Sequence, residues 1–293
     1  MKQNSSAIER VDLSNISITV FEHVHRYIFA ANFVKDKIVL DAACGTGYGS
    51  NYLSNYANLV YGIDINQDVI ENNKEIYKKE NLFFINGSIY QLPFDDNIFD
   101  VIVSFETVEH VNDGNKVLSE FKRVLKPEGI LIISTPNKQI SIEKSIINPF
   151  HKHEYFEDEF KELINKFFSN VIINYQSNCF SNVIYNKNSN KKNEVFSTNI
   201  NDIQKGSIKK NNFIIPKEYF IAIAYNDFTT IDNNKNSVYM GNEFNEFMIN
   251  EIKKMIEFQN KIYNSLNYKI GYYITYPIKF LLNLFKIKKY PDL

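Results

Sequence analysis

The sequence predicts an α/β fold, in which a mostly parallel, seven-stranded sheet carries helices on both faces and is followed by a helical tail. Two observations predict the sheet: short β-branched runs that are apolar almost throughout, and amphipathic stretches of helical period between them. Strands buried on both faces read as such runs, and strand–helix alternation builds right-handed βαβ units. A third observation is a glycine-rich turn between the first run and the helix after it, where a ligand can approach backbone.

In chain order, strands are expected at KIVLDA (37–42), LVYGID (59–64), LFFIN (82–86), FDVIVSF (99–105), GILIIST (129–135), NVIINYQ (170–176) and YFIAIAY (219–225). Helical patterns cover 66–80, 112–125 and 153–168. Residues 186–212 read as a polar insertion, either a solvated loop or a flap over an acceptor. The domain is expected over 1–227 and the helical tail over 228–293. In the tail Met248, Ile252, Met255, Ile262 and Leu266 fall near heptad a and d positions, which suits packing on the domain or in a homodimer. Its apolar, lysine-bearing stretch 270–289 offers the alternative of a peripheral contact with an anionic membrane face.

Composition narrows the function. With 44% hydrophobic residues the chain can bury a substantial core. The 33 basic side chains are matched by 34 acidic ones, so no nucleic-acid partner is expected from charge. Cys44 and Cys179 are the two cysteines, too few for a disulfide framework, and a reducing, cytoplasmic setting fits. The opening MKQNSSAIERVDLSNIS lacks the apolar segment of a signal peptide, and no stretch offers about 20 apolar residues in a row.

The glycine turn is VLDAACGTGYGS (39–50), where Gly45, Gly47 and Gly49 permit tight turning and close approach to a ligand. Asp64 ends the second strand seventeen residues past Gly47, where a carboxylate can accept both ribose hydroxyls of an adenosine-containing cofactor. Capping of the helix that follows is the other role open to it.

These residues resemble the class I S-adenosylmethionine-dependent methyltransferases, Rossmann-like enzymes, over most of residues 20–225. Asp41 and the glycines correspond to the family's acidic-plus-glycine first motif. NGSIYQLPFDDNIFDVIVSFETVEHV (86–111) and FKRVLKPEGILIISTPN (121–137) are similar to its second and third segments. The resemblance implies S-adenosylmethionine as cofactor. Backbone at Ala43, Gly45 and Gly47 would lie along its methionine part, Asp41 would organise the loop, and Asp64, with Ile65 beside it, would hold the ribose. Ser88 and Ile89 would meet the adenine, Phe105 the sulfonium, and Arg26 the carboxylate. Ala43 stands where a glycine is usual, and Ser88 where an Asp is common.

SFETVEHV places Glu106, Glu109 and His110 after the fourth strand, on one face if the segment turns helically. They can bind a hard divalent cation, with Mg²⁺ the candidate, or His110 can act alone as general base, or the segment can be structural. The E-x-x-E-H element resembles the metal-binding motif of the ubiquinone-pathway catechol O-methyltransferases and of the small-RNA 2′-O-methyltransferases. In the latter a later histidine completes the site, and here that would be His151 or His153. His23 and His25 read as packing or helix-surface residues.

For the acceptor, EHVHRYIFAANFVKDKIVLDAACGTGYGS with NPFHKHEYFEDEF is similar to methyltransferases of bacterial surface-polysaccharide and O-antigen assembly. That resemblance implies a sugar hydroxyl on a nucleotide- or lipid-linked glycan, an acceptor that a peripheral place of the tail at the inner membrane face would suit. O-methylation of a quinone-type small molecule and a non-catalytic interaction module are the alternatives.

Overall fold

The computed structural model describes residues 17–178 and 217–226, together with Lys254 and Glu257. Residues 17–178 and 217–226 fall in the first of two compact units, Met1–Ser237 and Val238–Leu293. The insertion expected at 186–212 and nearly all of the tail expected at 228–293, including 270–289, lie outside the described residues.

Seven strands form one sheet: β1 (Ile38–Ala42), β2 (Leu59–Asp64), β3 (Leu82–Asn86), β4 (Phe99–Ser104), β5 (Leu125–Pro136), β6 (Asn170–Gln176) and β7 (Tyr219–Tyr225). Their spatial order is β3-β2-β1-β4-β5-β7-β6. The first five run parallel, and β7 lies antiparallel between β5 and β6. This is the expected Rossmann-like sheet.

Side chains along each strand alternate between two cores. Leu40, Ile102, Leu131 and Ile133 join Leu118 and Phe121 of helix α4 (Gly114–Val124) and Phe160 and Ile164 of helix α6 (Glu157–Asn165) on one face. Val39, Val60, Val101 and Ile132 join Phe29 of α1 (Ile18–Ala30), Leu53 of α2 (Tyr48–Leu53) and Ile70 of α3 (Gln67–Ile76) on the other. Polar caps set several helix starts, as expected of donors left over at an N-terminus. Ser17 Oγ accepts from Val20 N at 3.3 Å, Asn66 Oδ1 from Val69 N at 3.1 Å, and Asp113 Oδ1 from Lys116 N at 3.1 Å.

Several boundaries differ from the sequence pattern, among them α3, which ends at Ile76 where the pattern runs to 80. The strand expected to begin at 129 begins at Leu125, because Leu125 already pairs with Phe99 before a bulge. The helix expected over 153–168 spans only Glu157–Asn165. Residues 152–155 are held out of the helix instead: the Lys152 and His153 amides donate to the Glu109 carbonyl at 2.7 and 3.1 Å, and Tyr155 bridges to Asn137.

β1 and β4 are neighbours from which the chain departs in opposite directions, so the loops after them diverge. In such sheets a crevice opens there, outside the carboxyl ends of the strands. Asp41, Asp64 and Glu106 all lie at that end of the sheet.

Candidate active site

On the β1–β2 side the glycine loop is held by side chains beneath it. Asp64 Oδ2 accepts the Gly45 amide at 3.1 Å, and Oδ1 accepts the Asn66 amide at 2.9 Å. The cap of α3 is Asn66 itself, so Asp64 has no capping role there. Asn73 Nδ2 donates to the Gly45 carbonyl at 2.8 Å and fixes the other side of the same peptide segment.

The three glycines do different work. Gly45 has φ +52° and a Cβ placed on it would meet nothing within 4 Å, so its face is open. Gly47, at φ +76°, would bring a Cβ to 2.9 Å from Asn73 and Phe84. Gly49 lies under the Tyr27 ring, 2.0 Å from where its Cβ would be. Gly49 is therefore a packing glycine and offers no approach to a ligand, contrary to the sequence expectation.

Asp41 is fully buried and accepts Ser50 Oγ at 2.6 Å and the Tyr27 hydroxyl at 3.1 and 3.3 Å. Burial pushes its carboxyl up to about 7, against the pull of those two hydroxyls. It ties α1 and α2 to β1 rather than bonding the loop amides, so its hold on the loop is indirect. Ala43 is half-buried. Ile65 is 66% exposed beside Asp64, an apolar surface of the kind a flat ring system covers. Ser88 Oγ accepts the Tyr90 amide at 3.2 Å, and Ile89 packs against the core. Phe105 is buried with its ring edge-on to Tyr27 at 5.1 Å.

The β4 side is built from side chains far apart in sequence. Glu106 has φ +46°, a left-handed conformation that a residue with a Cβ adopts at some cost. It is anchored there by Ser134, whose Oγ donates to Glu106 Oε1 at 2.6 Å and accepts the Glu106 amide at 3.1 Å. The single helical face expected for Glu106, Glu109 and His110 does not form. A 3₁₀ turn spans only Val108–His110, and Glu106 turns toward Arg26, 3.6 Å away. Arg26 is fully buried with its guanidinium over the Tyr219 ring at 4.4 Å. None of its three guanidinium nitrogens has a hydrogen-bond partner among the described residues.

Glu109 is fully buried; Oε2 accepts Thr135 Oγ1 at 3.2 Å and Oε1 has no hydrogen-bond partner among the described residues. Burial first, then the neighbouring Glu106, hold its carboxyl well above the usual carboxylate range and favour the neutral acid. His110 Nδ1 lies 3.1 Å from the Phe150 carbonyl, so that nitrogen carries the proton and Nε2 faces Glu109 Oε1 at 3.9 Å. His151 packs edge-on to His110 at 4.8 Å, with Nδ1 on Glu154 at 2.6 Å and Nε2 on Asn148 at 3.0 Å.

Glu109, His110 and His151 each present one ligand atom, all within 4.8 Å of one another. Of the two later histidines, His151 joins the cluster. The side chain of His153 is 50% exposed and turns to Glu159 and Tyr155. Neither Glu106 nor His153 belongs to the ligand set expected for a metal, because Glu106 is tied to Ser134 and His153 faces away. One carboxylate and two imidazoles match a borderline cation such as Mn²⁺ or Zn²⁺; Mg²⁺ prefers an all-oxygen shell.

Residues 40–133 match the family description "Methyltransferase domain". The chain matches that family over about a third of its length. Over 129 residues it is 34% identical to the "Probable S-adenosylmethionine-dependent methyltransferase" of Mycolicibacterium smegmatis, covering 43% of this chain and 49% of that one. Over 125 residues it is 33% identical to the phthiotriol/phenolphthiotriol dimycocerosates methyltransferase of Mycobacterium tuberculosis, covering 41% and 46%. The chain spans about half the length of the curated relatives it matches. The PH0226 protein of Pyrococcus horikoshii shares the fold at a TM-score of 0.52 and 18% identity, over 71% of this chain and 92% of that one. An S-adenosylmethionine-dependent methyltransferase of Archaeoglobus fulgidus does so at 0.50 and 21%, over 71% and 94%.

Several parts of the site lie outside the residues singled out in the sequence. Ser134 and Thr135 come from β5, inside the segment 121–137, but nothing there marks them as partners of Glu106 and Glu109; Tyr219 comes from β7, outside every motif. Asn73 had a usable signal: it falls three residues after Ile70, on the buried face of α3, where a polar side chain needs a partner. Among the described residues no helix is long and apolar enough to cross a membrane.

Proposed function

We propose that the chain is an S-adenosylmethionine-dependent methyltransferase that methylates a hydroxyl oxygen, with a sugar of a surface glycan as the acceptor class. The observation that carries the reading is the meeting of two unlike ends at one crevice. An open, glycine-lined loop held by Asp64 lies at one end, and the Glu109–His110–His151 cluster at the other. S-adenosylmethionine supplies a methyl group already activated on a sulfonium. The protein's share is then to align an acceptor, worth about 7–11 kcal/mol, and to take its proton. His110, polarised through Nδ1 by the Phe150 carbonyl, is the base for that proton in this reading.

Toward the cofactor, Gly45 and its neighbours would take the methionine part, Asp64 the ribose, and Ile65 with Ser88 and Ile89 the adenine. Arg26, buried without a hydrogen-bonding partner, would take the carboxylate. The glycan assignment rests on the sequence resemblance; a quinone-type acceptor is the alternative.

A metal-assisted version of the same reading is favoured by one observation, the unpartnered Glu109 Oε1 beside two imidazoles. A divalent cation held by Glu109, His110 and His151 would stabilise the acceptor alkoxide. Isothermal titration with S-adenosylhomocysteine tests the cofactor half. Methyl transfer to glycan acceptors, measured with and without excess chelator, tests the rest. Absence of cofactor binding at millimolar ligand would overturn the proposal, and full activity in chelator would leave His110 working without metal.

A further inference from the structure

The segment His151–Tyr155 puts its two histidines to different uses. His151 turns to His110, whereas His153 turns away, onto a cleft of about 440 Å³ between the start of α4 and the side of α6. That volume lies within the range of about 300–1,000 Å³ typical of small-molecule sites. The cleft adjoins the methyl-transfer cluster through covalent neighbours. Its wall begins at Val111, next to His110, and its opposite edge hangs on the Glu109 carbonyl through the Lys152 and His153 amides.

One side of it, where Gly114 meets Tyr155 and Leu163, is close-packed. Gly114 allows the Tyr155 hydroxyl and Leu163 to lie 3.0 and 3.1 Å from where a Cβ would stand. Tyr155 is 7% exposed, and no described residue hydrogen-bonds its hydroxyl. Burial, with the carboxylates of Glu109 and Asp113 adding to it, pushes that hydroxyl up to about 12, so it stays a donor. The rim is polar and mixed. Asp113, Glu159 and Glu162 supply acceptors, Lys152 and Lys166 supply donors, and the amides of Asn112 and Asn115 supply both.

We infer that this cleft is the acceptor subsite for a neutral, polyhydroxylated ring, a sugar residue presented next to the Glu109–His110–His151 cluster. The inference rests on the methyl-transfer reading and deepens it by assigning the acceptor ring a place, the cleft whose chemistry suits it. Three carboxylates against two ammonium groups disfavour an anion. Donors and acceptors side by side along the cleft suit hydroxyl groups, each of which donates and accepts at once.

The test is saturation-transfer NMR on the full chain with methyl glycosides of glucose, galactose, mannose, fucose and rhamnose, with and without S-adenosylhomocysteine. At least one glycoside is expected to show ring-proton signals at millimolar concentration. Those signals should fall five-fold or more in Tyr155→Phe and in the exposed double variant Asn115→Ala/Glu162→Gln, with cofactor affinity and melting temperature unchanged. Inorganic phosphate should leave them intact. Cofactor binding with no signal from any glycoside, signals indifferent to the double variant, or displacement by phosphate would each sink the subsite. Glycoside signals without cofactor binding would sink the methyl-transfer reading and leave the sugar site standing.

Discussion

On the β1–β2 side of the crevice, the groups that face a ligand are backbone, and the carboxylate that orders them lies within twenty residues. Asp64 holds the Gly45 amide and Asn73 the Gly45 carbonyl, so the loop is shaped before anything binds. On the β4 side the groups are side chains brought together across the fold. His110 meets His151, Glu106 meets Ser134 and Arg26, and Glu109 meets Thr135. The first half is a rigid mould that tolerates few backbone changes. The second is a set of buried polar groups, several incompletely satisfied, and such groups are retained at a stability cost when they serve chemistry.

The largest contrast is expected from His110→Ala. If the β4 side carries proton transfer, the rate of methyl transfer falls by about 10²–10⁴-fold. S-adenosylhomocysteine affinity, measured by calorimetry, stays within a few-fold. A matching loss of affinity would mean the two halves are not separable.

Asp41 gives the next largest effect, this time on stability. Its carboxyl rises from 3.8 to about 7 on folding, so the folded state holds a proton that the unfolded chain releases. The stabilising contribution is complete below pH 4 and is lost as pH rises through 7. At about 1.4 kcal/mol per tenfold change in proton affinity, it amounts to roughly 4 kcal/mol. Glu22 and Glu109, whose carboxyls burial also raises, act in the same direction. Urea unfolding between pH 4.5 and 7.5 should show stability declining in the wild type and a shallower decline in Asp41→Asn. Equal slopes would remove Asp41 as the source.

Asp64→Ala removes the acceptor for the Gly45 and Asn66 amides. Charge-assisted bonds of this kind are worth about 1.5–3 kcal/mol each, so cofactor affinity should fall about 10²-fold or more in titration calorimetry. A loss below tenfold would show that the loop keeps its shape without the carboxylate.

The smallest effects separate two glycines of one loop. Gly47→Ala meets both a left-handed φ and the Asn73 and Phe84 side chains, and should cost about 2 kcal/mol in chemical denaturation. Gly45→Ala meets open space, and should cost about 1 kcal/mol while weakening cofactor binding. Reversal of that order would place the open face elsewhere.

The sequence by itself determined the sheet, its seven strands and the cofactor-side loop. Those features rest on local periodicity, on glycines at positive φ and on an acidic residue at a strand end, all written within short windows. Boundaries failed where a distant group overrode local preference, as when the Glu109 carbonyl held the Lys152 and His153 amides out of a helix and delayed α6. Tertiary structure alone decided that His151 joins His110 while His153 lines a separate cleft. Both histidines sit in the short segment 151–155, and which of them faces the buried carboxylate depends on how that segment docks on the Glu109 carbonyl. It also decided that Glu106 leaves the E-x-x-E-H cluster for Arg26 and Ser134, because its backbone turns left-handed before the 3₁₀ turn begins. A motif specifies which residues are present, whereas the backbone conformation at one residue decides which way each of them points.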